Sequence, residues 1–369
     1  MTSAQVEIIV IAALTSAACA LVGVFLVLRR MALVSDAIAH SVLLGIALAF
    51  FVTQSTTSPL LFAGAALTGV LTVALVELLA RTRLVKEDAA IGLVFPVLFS
   101  IGVILISRYA GSVHLDIDAV LLGELAFAPF DRLEVAGWDL GPVSLVTMAV
   151  VLAIDVLVVA LLWKELKLTA FDSALALSLG FAPAAITYGL MALVSLTAVS
   201  AFNAVGSILV VALMIAPPAT AYLLTDSLWR MTVLSVGVGV ACAFAGYWAA
   251  YALDASIAGC MAGACGVAFG LAWAFAPARG LVAAARRRAR QRLEFAQAML
   301  AIHLANHEGT PEAAEENRLD RLALHLRWDA SRISSVVGAA RRRGLVAEEG
   351  GLLVLTERGR DLARESLAH

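Results

Sequence analysis

The sequence has little charge for its length, and this scarcity excludes an ordinary soluble protein. Only 15% of its 369 residues are charged and 62% are hydrophobic, whereas a typical soluble domain is about 25% charged. The charge is also unevenly placed, because 16 of the 26 Lys and Arg residues lie at or after Arg279. We therefore expect an all-α polytopic membrane domain, followed by a small arginine-rich cytoplasmic domain of α+β class.

Cysteine and lysine are scarce, which excludes two kinds of site. The four cysteines lie in apolar runs without a CxxC pair, so we expect buried, unpaired thiols rather than a metal or disulfide site. None of the three lysines follows a glycine, so the chain has no GxxxxGK[ST] phosphate loop. We expect no enzyme activity here, and any ATP hydrolysis must come from another chain.

Long apolar runs dominate the first three quarters of the chain. Because a helix needs about 20 apolar residues to cross a bilayer, we predict nine transmembrane helices. The split around Asn203 is the least obvious boundary, since only a short polar stretch interrupts the run. The first run lacks the basic flank and cleavage site of a signal peptide, so we expect it to be retained. The predicted spans are 6–28, 34–53, 58–80, 89–107, 143–163, 183–202, 204–224, 230–251 and 256–276.

Positive residues predict the orientation of these spans. Arg and Lys follow spans 1, 3, 5, 7 and 9, whereas the other connections carry mostly Asp and Glu. By the positive-inside rule, the N-terminus lies outside the cell membrane and the C-terminal domain lies in the cytoplasm. Two connections are longer than turns. We expect a short helix or hairpin in 108–142 outside, and in 164–182 inside a short helix capped by Asp172 and ended by Gly180.

One stretch, SDAIAHSVLLG at 35–45, places an aspartate and a histidine inside an apolar run. Asp36 and His40 are four residues apart, so they share a helix face near the cytoplasmic end of span 2. A carboxylate at membrane depth is costly unless paired or hydrated, and carboxylate with imidazole suits Mn²⁺, Fe²⁺ or Zn²⁺. Two ligands are too few for a metal, so a second subunit must complete the site. The alternative is a helix-start aspartate at the interface and a histidine bonded to a backbone carbonyl.

Other polar groups in or near the spans are weaker candidates. Asp155 lies in the middle of span 5 without a partner nearby in sequence, so it either lines a pathway or bonds a neighbouring helix. Asp116 and Asp118 in the outer connection either receive the metal or are solvated. We expect Pro217 and Pro218 to kink or interrupt span 7.

The C-terminal part has the pattern of a winged helix-turn-helix. An amphipathic helix ending at Gly309 is followed by two helices, and LVAEEGGLLVLTERG then predicts a hairpin around a Glu-Glu-Gly-Gly turn. The predicted domains are therefore a transmembrane domain at 1–276, a basic linker at 277–288 and a winged helix-turn-helix domain at 289–369.

Four ordered stretches resemble the zinc/manganese/iron (ABC-3) family of ABC importer permeases. They are RRMALVSDAIAHSVLLGIALAF, KEDAAIGLVFPVLFSIGVILIS at 86–107, LKLTAFDSALALSLG at 166–180 and AVGSILVVALMIAPPATAYLL at 204–224. The resemblance covers nearly all of 1–276. It implies a permease dimer, of two identical chains or of this chain with a sister permease, fed by an extracytoplasmic metal-binding protein and driven by a cytoplasmic ABC ATPase dimer.

The resemblance also carries functional roles onto matching residues. The family's second-span carboxylate and histidine are associated with the metal path, and they correspond to Asp36 and His40. The segment 166–180 corresponds to the region that contacts the ATPase. The coupling residues implied there are Leu166, Phe171, Asp172, Leu179 and Gly180.

The tail resembles the winged-helix part of iron- and manganese-dependent repressors of the diphtheria-toxin-repressor type, without their dimerising domain. His303, His307 and His325 either form an inner metal site or are simply solvated, and the first two share a helix face. Arg332 and Arg341 suit a phosphate contact, yet 16 Arg against 12 acidic residues in 277–369 leave a net charge of only +4. We therefore expect a regulatory or assembly role and no nucleic-acid partner.

The leading hypothesis is the permease subunit of an ATP-driven importer of a divalent transition metal, with manganese first and zinc or iron next. The metal is cargo, and we expect no permanently bound cofactor. A membrane-tethered, metal-responsive transcriptional regulator is the alternative from another class, although nine spans exceed what an anchor needs. A proton- or sodium-coupled carrier would need more intramembrane carboxylates or an inverted repeat.

Overall fold

Long apolar helices make up most of the chain. The computed structural model describes residues 2–54, 58–109, 125–135 and 138–368, and these fall into two units, Met1–Gly280 and Leu281–His369. Within the described ranges, nine helices are long and apolar enough to cross a membrane. This number confirms the predicted span count.

The first unit is a helical bundle with one small hairpin. Its helices are α1 (Ser3–Leu28), α2 (Ala32–Thr53), α3 (Pro59–Arg81), α4 (Glu87–Tyr109), α5 (Val143–Leu161), α6 (Trp163–Phe171), α7 (Ser173–Ser178), α8 (Pro183–Val205), α9 (Ser207–Leu224), α10 (Leu228–Leu253) and α11 (Ile257–Phe275), and its strands are β1 (Arg132–Val135) and β2 (Trp138–Pro142). Helices α6 and α7 are too short to span a membrane and occupy the connection predicted to face the cytoplasm.

Two helix boundaries differ from the sequence-based expectation. The break between α8 and α9 falls at Gly206, which has φ +82°, rather than at Asn203, because glycine adopts positive φ without steric cost. Of the kink or interruption expected at Pro217 and Pro218, the interruption does not occur, since α9 continues through both residues to Leu224.

Helix α1 lies at the centre of the bundle. Its side chains Ile11, Ala18 and Phe25 are fully buried, and the helix packs against α5, α8, α9 and α10. Ser235 of α10 donates a hydrogen bond of 3.1 Å to the Ala20 carbonyl oxygen in α1. All four cysteines are free. The helices α2, α3 and α4 pack mainly against one another, so they form a distinct part of the bundle.

The connection predicted to face outward contains an antiparallel hairpin, β1–β2. Arg132 donates from Nε to Asp139 Oδ2 across it at 2.7 Å, and its Nη1 lies 3.5 Å from Glu7 Oε1 near the start of α1. The contact with Glu7 ties the hairpin to the bundle. Asp116 and Asp118 lie outside the described residues.

The second unit contains helices α12 (Leu281–His307), α13 (Ala313–Glu316), α14 (Leu319–His325), α15 (Ala330–Arg342) and α16 (Glu357–Ala368), and strands β3 (Val346–Glu349) and β4 (Leu352–Leu355). The segment predicted as a basic linker is helical from Leu281 onward. Strands β3 and β4 form the expected hairpin, turning at Gly350 and Gly351, both with positive φ. The hydrophobic core of the second unit is separate from that of the bundle. It includes Leu300, Leu304, Leu322, Val336 and Leu353.

Candidate functional site

The aspartate and histidine of the second span meet as their spacing predicts. Both lie on α2, and His40 Nε2 is 3.5 Å from Asp36 Oδ1. Asp36 is in the second turn, because α2 begins at Ala32. The pair therefore stands near one end of a span, with one oxygen ligand and one nitrogen ligand directed together.

Two aromatic rings from α4 hold the histidine. Phe95 stacks on the imidazole with ring centroids 5.8 Å apart, and Phe99 meets it edge-on at 5.9 Å. The side chains of His40 and Asp36 nevertheless remain 33% and 43% exposed. The pair thus faces an open surface of the chain rather than its packed core, so groups from outside this chain can approach it.

Glycine contacts fix the position of α2 against its neighbours. Gly45 and Gly64 cross so closely that a Cβ on Gly45 would collide with the Gly64 carbonyl oxygen, and a Cβ on Gly102 of α4 would lie 2.9 Å from the Leu44 backbone nitrogen. Small residues at such crossings let helix backbones approach in a membrane, where apolar burial alone does not drive association. Helices α3 and α4 therefore determine where Asp36 and His40 stand.

The short helices α6 and α7 present an apolar surface. Asp172 caps α7 as predicted, accepting a 2.9 Å hydrogen bond at Oδ1 from the Leu175 backbone N–H, and Gly180 N–H bonds the Leu177 carbonyl at 3.1 Å just after its end. Phe171, Leu177 and Leu179 are 60–67% exposed. Leu166 differs from them, because it is buried in the core of the bundle and has no surface to offer a partner.

Arg29 connects α6 to two spans. It follows α1, and its guanidinium donates to Thr169 Oγ1 of α6 at 2.6 Å and to Thr187 Oγ1 of α8 at 2.5 Å. Thr169 in turn donates to the Glu165 carbonyl at 2.8 Å. A planar guanidinium with several donors suits such a junction, and this one side chain joins α6 to α1 and α8.

A family model described as the ABC 3 transport family matches residues 2–276. This chain belongs to that family. It is 49% identical over 361 residues, 98% of each chain, to the zinc transport system membrane protein TroD of Treponema pallidum. It is 47% identical over 280 residues, 76% of this chain and 95% of that protein, to the manganese transport system membrane protein MntD of Bacillus subtilis. The first match is long enough to include the second unit, whereas the second is too short to cover both units.

A solved structure agrees with this membership. The chain matches one from PsaBC of Streptococcus pneumoniae in complex with Fab, with a TM-score of 0.63 and 28% identity over 76% of this chain and 94% of that one. The curated relatives are named as membrane proteins of transport systems rather than as enzymes or transcription factors. Membership in the ABC 3 family therefore favours a multi-pass transport subunit over the tethered regulator.

Asp155 bonds a neighbouring helix in this ABC 3 fold. Its side chain is completely buried, and Thr197 Oγ1 of α8 lies 3.0 Å from both carboxylate oxygens. Of the two alternatives for this residue, the observed contact matches helix–helix bonding. Glu77, by contrast, forms a local ion pair with Arg81 at the end of α3.

The second unit lies outside the ABC 3 match and contains the remaining predicted residues. His303 and His307 adjoin on α12 with ring centroids 4.9 Å apart, and burial, followed by the nearby His307, lowers the pKa of His303. Arg332 covers the ring of Trp328 at 5.0 Å, and Arg341 forms an ion pair with Glu348 of β3. Both arginines therefore have partners inside the unit.

Three functional candidates were missed by the sequence reasoning. In the sequence, Arg29 contributes only to the positive charge that orients span 1, whereas in the structure its guanidinium forms hydrogen bonds to two helices. Phe95 and Phe99 belong to a stretch that matched the family, yet their meeting with His40 depends on how α4 packs on α2. No local sequence pattern predicts such long-range contacts.

Proposed function

We propose that this ABC 3 family member is the membrane permease of an ATP-driven importer of a divalent transition metal. The exposed Asp36–His40 pair carries this proposal, because it offers a carboxylate and an imidazole at membrane depth, where an unused carboxylate would be costly. The names of the relatives divide between zinc and manganese. Both metals accept this ligand pair, so they are the first two cargoes to test.

The partner at the pair is a second permease, either an identical chain or a sister chain. Zn²⁺ sites need three or four ligands, and each chain supplies two. The open face beside His40 supports completion of the site by the same pair from a partner across a shared axis. The metal then passes between the two chains rather than through the core of one.

The partner at α6 and α7 is a cytoplasmic ABC ATPase. Phe171, Leu177 and Leu179 form an exposed apolar surface on two short helices, and such surfaces are typical of protein contacts. Arg29 then transmits the movement of this surface to α1 and α8 through Thr169 and Thr187. The positive residues around this end of the bundle support its cytoplasmic orientation.

An extracytoplasmic metal-binding protein is the partner on the opposite side. There, Phe127 and Phe130 are 61% and 76% exposed beside the β1–β2 hairpin, and aromatic side chains are enriched at protein interfaces. The N-terminus lies on this outer side in the orientation that we propose.

The second unit is a cytoplasmic winged helix-turn-helix domain with a regulatory or assembly role. The order of helices α12–α15, hairpin β3–β4 and α16 supports this assignment. DNA binding is disfavoured, because Arg332 and Arg341 engage Trp328 and Glu348 rather than standing free on α15. A domain that reads DNA needs such cations available for phosphates.

Metal uptake tests the proposal directly. Cells expressing this chain with its ATPase and binding protein are given radiolabelled Mn²⁺ or Zn²⁺, and wild type is compared with Asp36→Ala and His40→Ala. We expect both variants to lose uptake at normal membrane levels, with the ATPase still associated. The metal that wild type accumulates is the cargo.

Glu77→Gln is the matched control, because it also removes a carboxylate near a membrane end but one that pairs with Arg81. It should retain most of the uptake. Unchanged uptake in Asp36→Ala and His40→Ala would show that the pair is structural, and the proposed metal path would be wrong.

A further inference from the structure

The second unit brings together three side chains of the types that bind metals, two from α12 and one from α13. His303 and His307 are four residues apart on α12, and Glu316 is the last residue of α13. Glu316 Oε2 lies 2.8 Å from His307 Nε2. One ligand atom from each of the three residues lies within 4.8 Å of the other two, so modest side-chain rotation could bring all three onto one ion.

Two ring nitrogens in this cluster lack a hydrogen bond in the part of the chain that the structure describes. His303 Nε2 and His307 Nδ1 are buried, and neither has a hydrogen-bond partner among the described residues. Buried polar atoms are nearly always paired, so each exception requires an explanation. A simple ion pair between His307 and Glu316 accounts for one nitrogen of His307 but leaves both of these atoms unexplained.

A fourth candidate ligand stands beside the cluster. His325, at the end of α14, has its ring centroid 6.0 Å from that of His303, and its side chain is exposed. Zn²⁺ sites take four ligands at about 2.0–2.1 Å, which places tetrahedral ligand atoms about 3.4 Å apart. One ligand atom from each of His303, His307 and Glu316 lies within 4.8 Å of the other two, so small side-chain rotations bring them to this spacing.

We infer that His303, His307 and Glu316 form a binding site for a divalent transition metal, with His325 as the fourth ligand. Two or three imidazoles with one carboxylate favour Zn²⁺ or Co²⁺ over Mn²⁺, because affinity for nitrogen ligands rises along the first-row series. The site is distinct from the Asp36–His40 pair, and it lies outside residues 2–276, the part that matches the ABC 3 family.

The location also indicates what the site does. A bound ion links the end of α12 to α13 and α14, which are otherwise joined by short connections. If the second unit is cytoplasmic, a step that rests on the proposed function, the site samples metal after it has been imported. Its occupancy then reports the internal supply and lowers further import.

Metal binding to the full-length chain tests the site independently of transport. The chain carrying Asp36→Ala and His40→Ala is purified in detergent, stripped of metal with a chelator and titrated with Co²⁺, and the visible absorption of the ion is followed. We expect one Co²⁺ per chain with a tetrahedral spectrum, displaced by Zn²⁺. Adding Glu316→Gln or His307→Ala should weaken binding by more than the roughly 10–100-fold that loss of a second-shell partner costs.

Glu315→Gln is the matched control, since Glu315 is the exposed neighbour that faces Arg321 instead, and it should leave the spectrum and affinity unchanged. Circular dichroism and size exclusion verify that each variant folds, and Glu316→Gln keeps the shape of the side chain. Co²⁺ binding that is equal in Glu316→Gln and Glu315→Gln would overturn the site.

The regulatory role is tested by uptake in cells preloaded with metal. Wild-type uptake should fall on preloading, whereas uptake by Glu316→Gln should not. An equal fall in both would overturn the regulatory role while leaving the site in place. Absence of any uptake by wild type would contradict the proposed function and would leave the Co²⁺ result standing.

Discussion

Arg29 donates a hydrogen bond of 2.6 Å to Thr169, and this contact joins the end of a central span to the short helix α6. The two residues are 140 positions apart in the sequence. Because the same guanidinium also reaches Thr187, three helices meet at one side chain. A junction of this kind would allow movement of α6, caused by the proposed ATPase partner, to move the spans of the permease.

Replacing this arginine should uncouple ATP hydrolysis from transport. Arg29→Lys keeps the charge, but a single ammonium group lacks the planar fork that reaches both threonines. Hydrogen bonds to charged groups contribute about 1.5–3 kcal/mol each, so we expect roughly a tenfold loss of uptake with ATPase activity retained. The measurement is ATP hydrolysis and metal uptake on the same proteoliposomes. Arg30→Lys, at an exposed neighbouring position, should behave like wild type, and equal losses in both variants would refute the junction.

Substitution of an exposed leucine and of a buried leucine near α6 should have different effects, the first on ATPase binding and the second on stability. Leu177→Ala removes part of the exposed apolar surface, so it should reduce co-purification of the ATPase without changing the melting temperature. Leu166→Ala should instead destabilise the bundle by about 2–5 kcal/mol, because it leaves a cavity in the core. Thermal unfolding and pull-down on both variants distinguish the two effects. A stable Leu166→Ala that loses the ATPase would show that Leu166 is a contact residue after all.

Asp155 should prove necessary for folding rather than for metal passage. Asp155→Ala removes the buried hydrogen bond between α5 and α8, which costs about 0.5–1.5 kcal/mol, while Thr197 keeps the Leu193 carbonyl oxygen as an acceptor. We expect less folded permease in the membrane, but the same uptake per folded molecule and an unchanged apparent KM for metal. Asp254→Asn, at an exposed position between α10 and α11, is the control. A raised KM with normal protein levels would instead place Asp155 in the pathway.

Gly45 should tolerate no side chain, in contrast to Gly92. Gly45→Ala places a methyl group against the Gly64 carbonyl, and overpacking of this kind costs about 1–3 kcal/mol. Separation of α2 from α3 also displaces Asp36 and His40, so uptake should fall with stability. A Cβ on Gly92 of α4 meets no described atom within 4 Å, and Gly92→Ala should be neutral or stabilising by up to about 1 kcal/mol. Melting temperatures and uptake of the two variants provide the comparison.

The features that differ from the sequence-based expectation depend on backbone conformation and helix packing rather than on the polarity of local residues. The split of the 183–224 run was expected at the polar Asn203 but falls at Gly206, because backbone conformation rather than polarity ends the helix. Pro217 and Pro218 do not interrupt α9, although each lacks a backbone N–H donor; neighbouring helices restore such losses in membrane bundles. Leu166, which the resemblance implies as a coupling residue, packs into the core of the bundle, unlike the exposed Phe171 and Leu179 of the same segment.

The sequence by itself determined what depends on neighbours within a few turns. The length of the apolar runs established nine spans, the four-residue spacing put Asp36 beside His40, and Asp172 capped α7. Only the tertiary structure decided which helix faces meet. The spans are apolar all round, so no stripe indicates that Thr197 faces Asp155, that Phe95 covers His40, or that Arg29 reaches α6. Glu316 likewise meets His307 only because the connection after α12 folds back, a result of packing that no local spacing specifies.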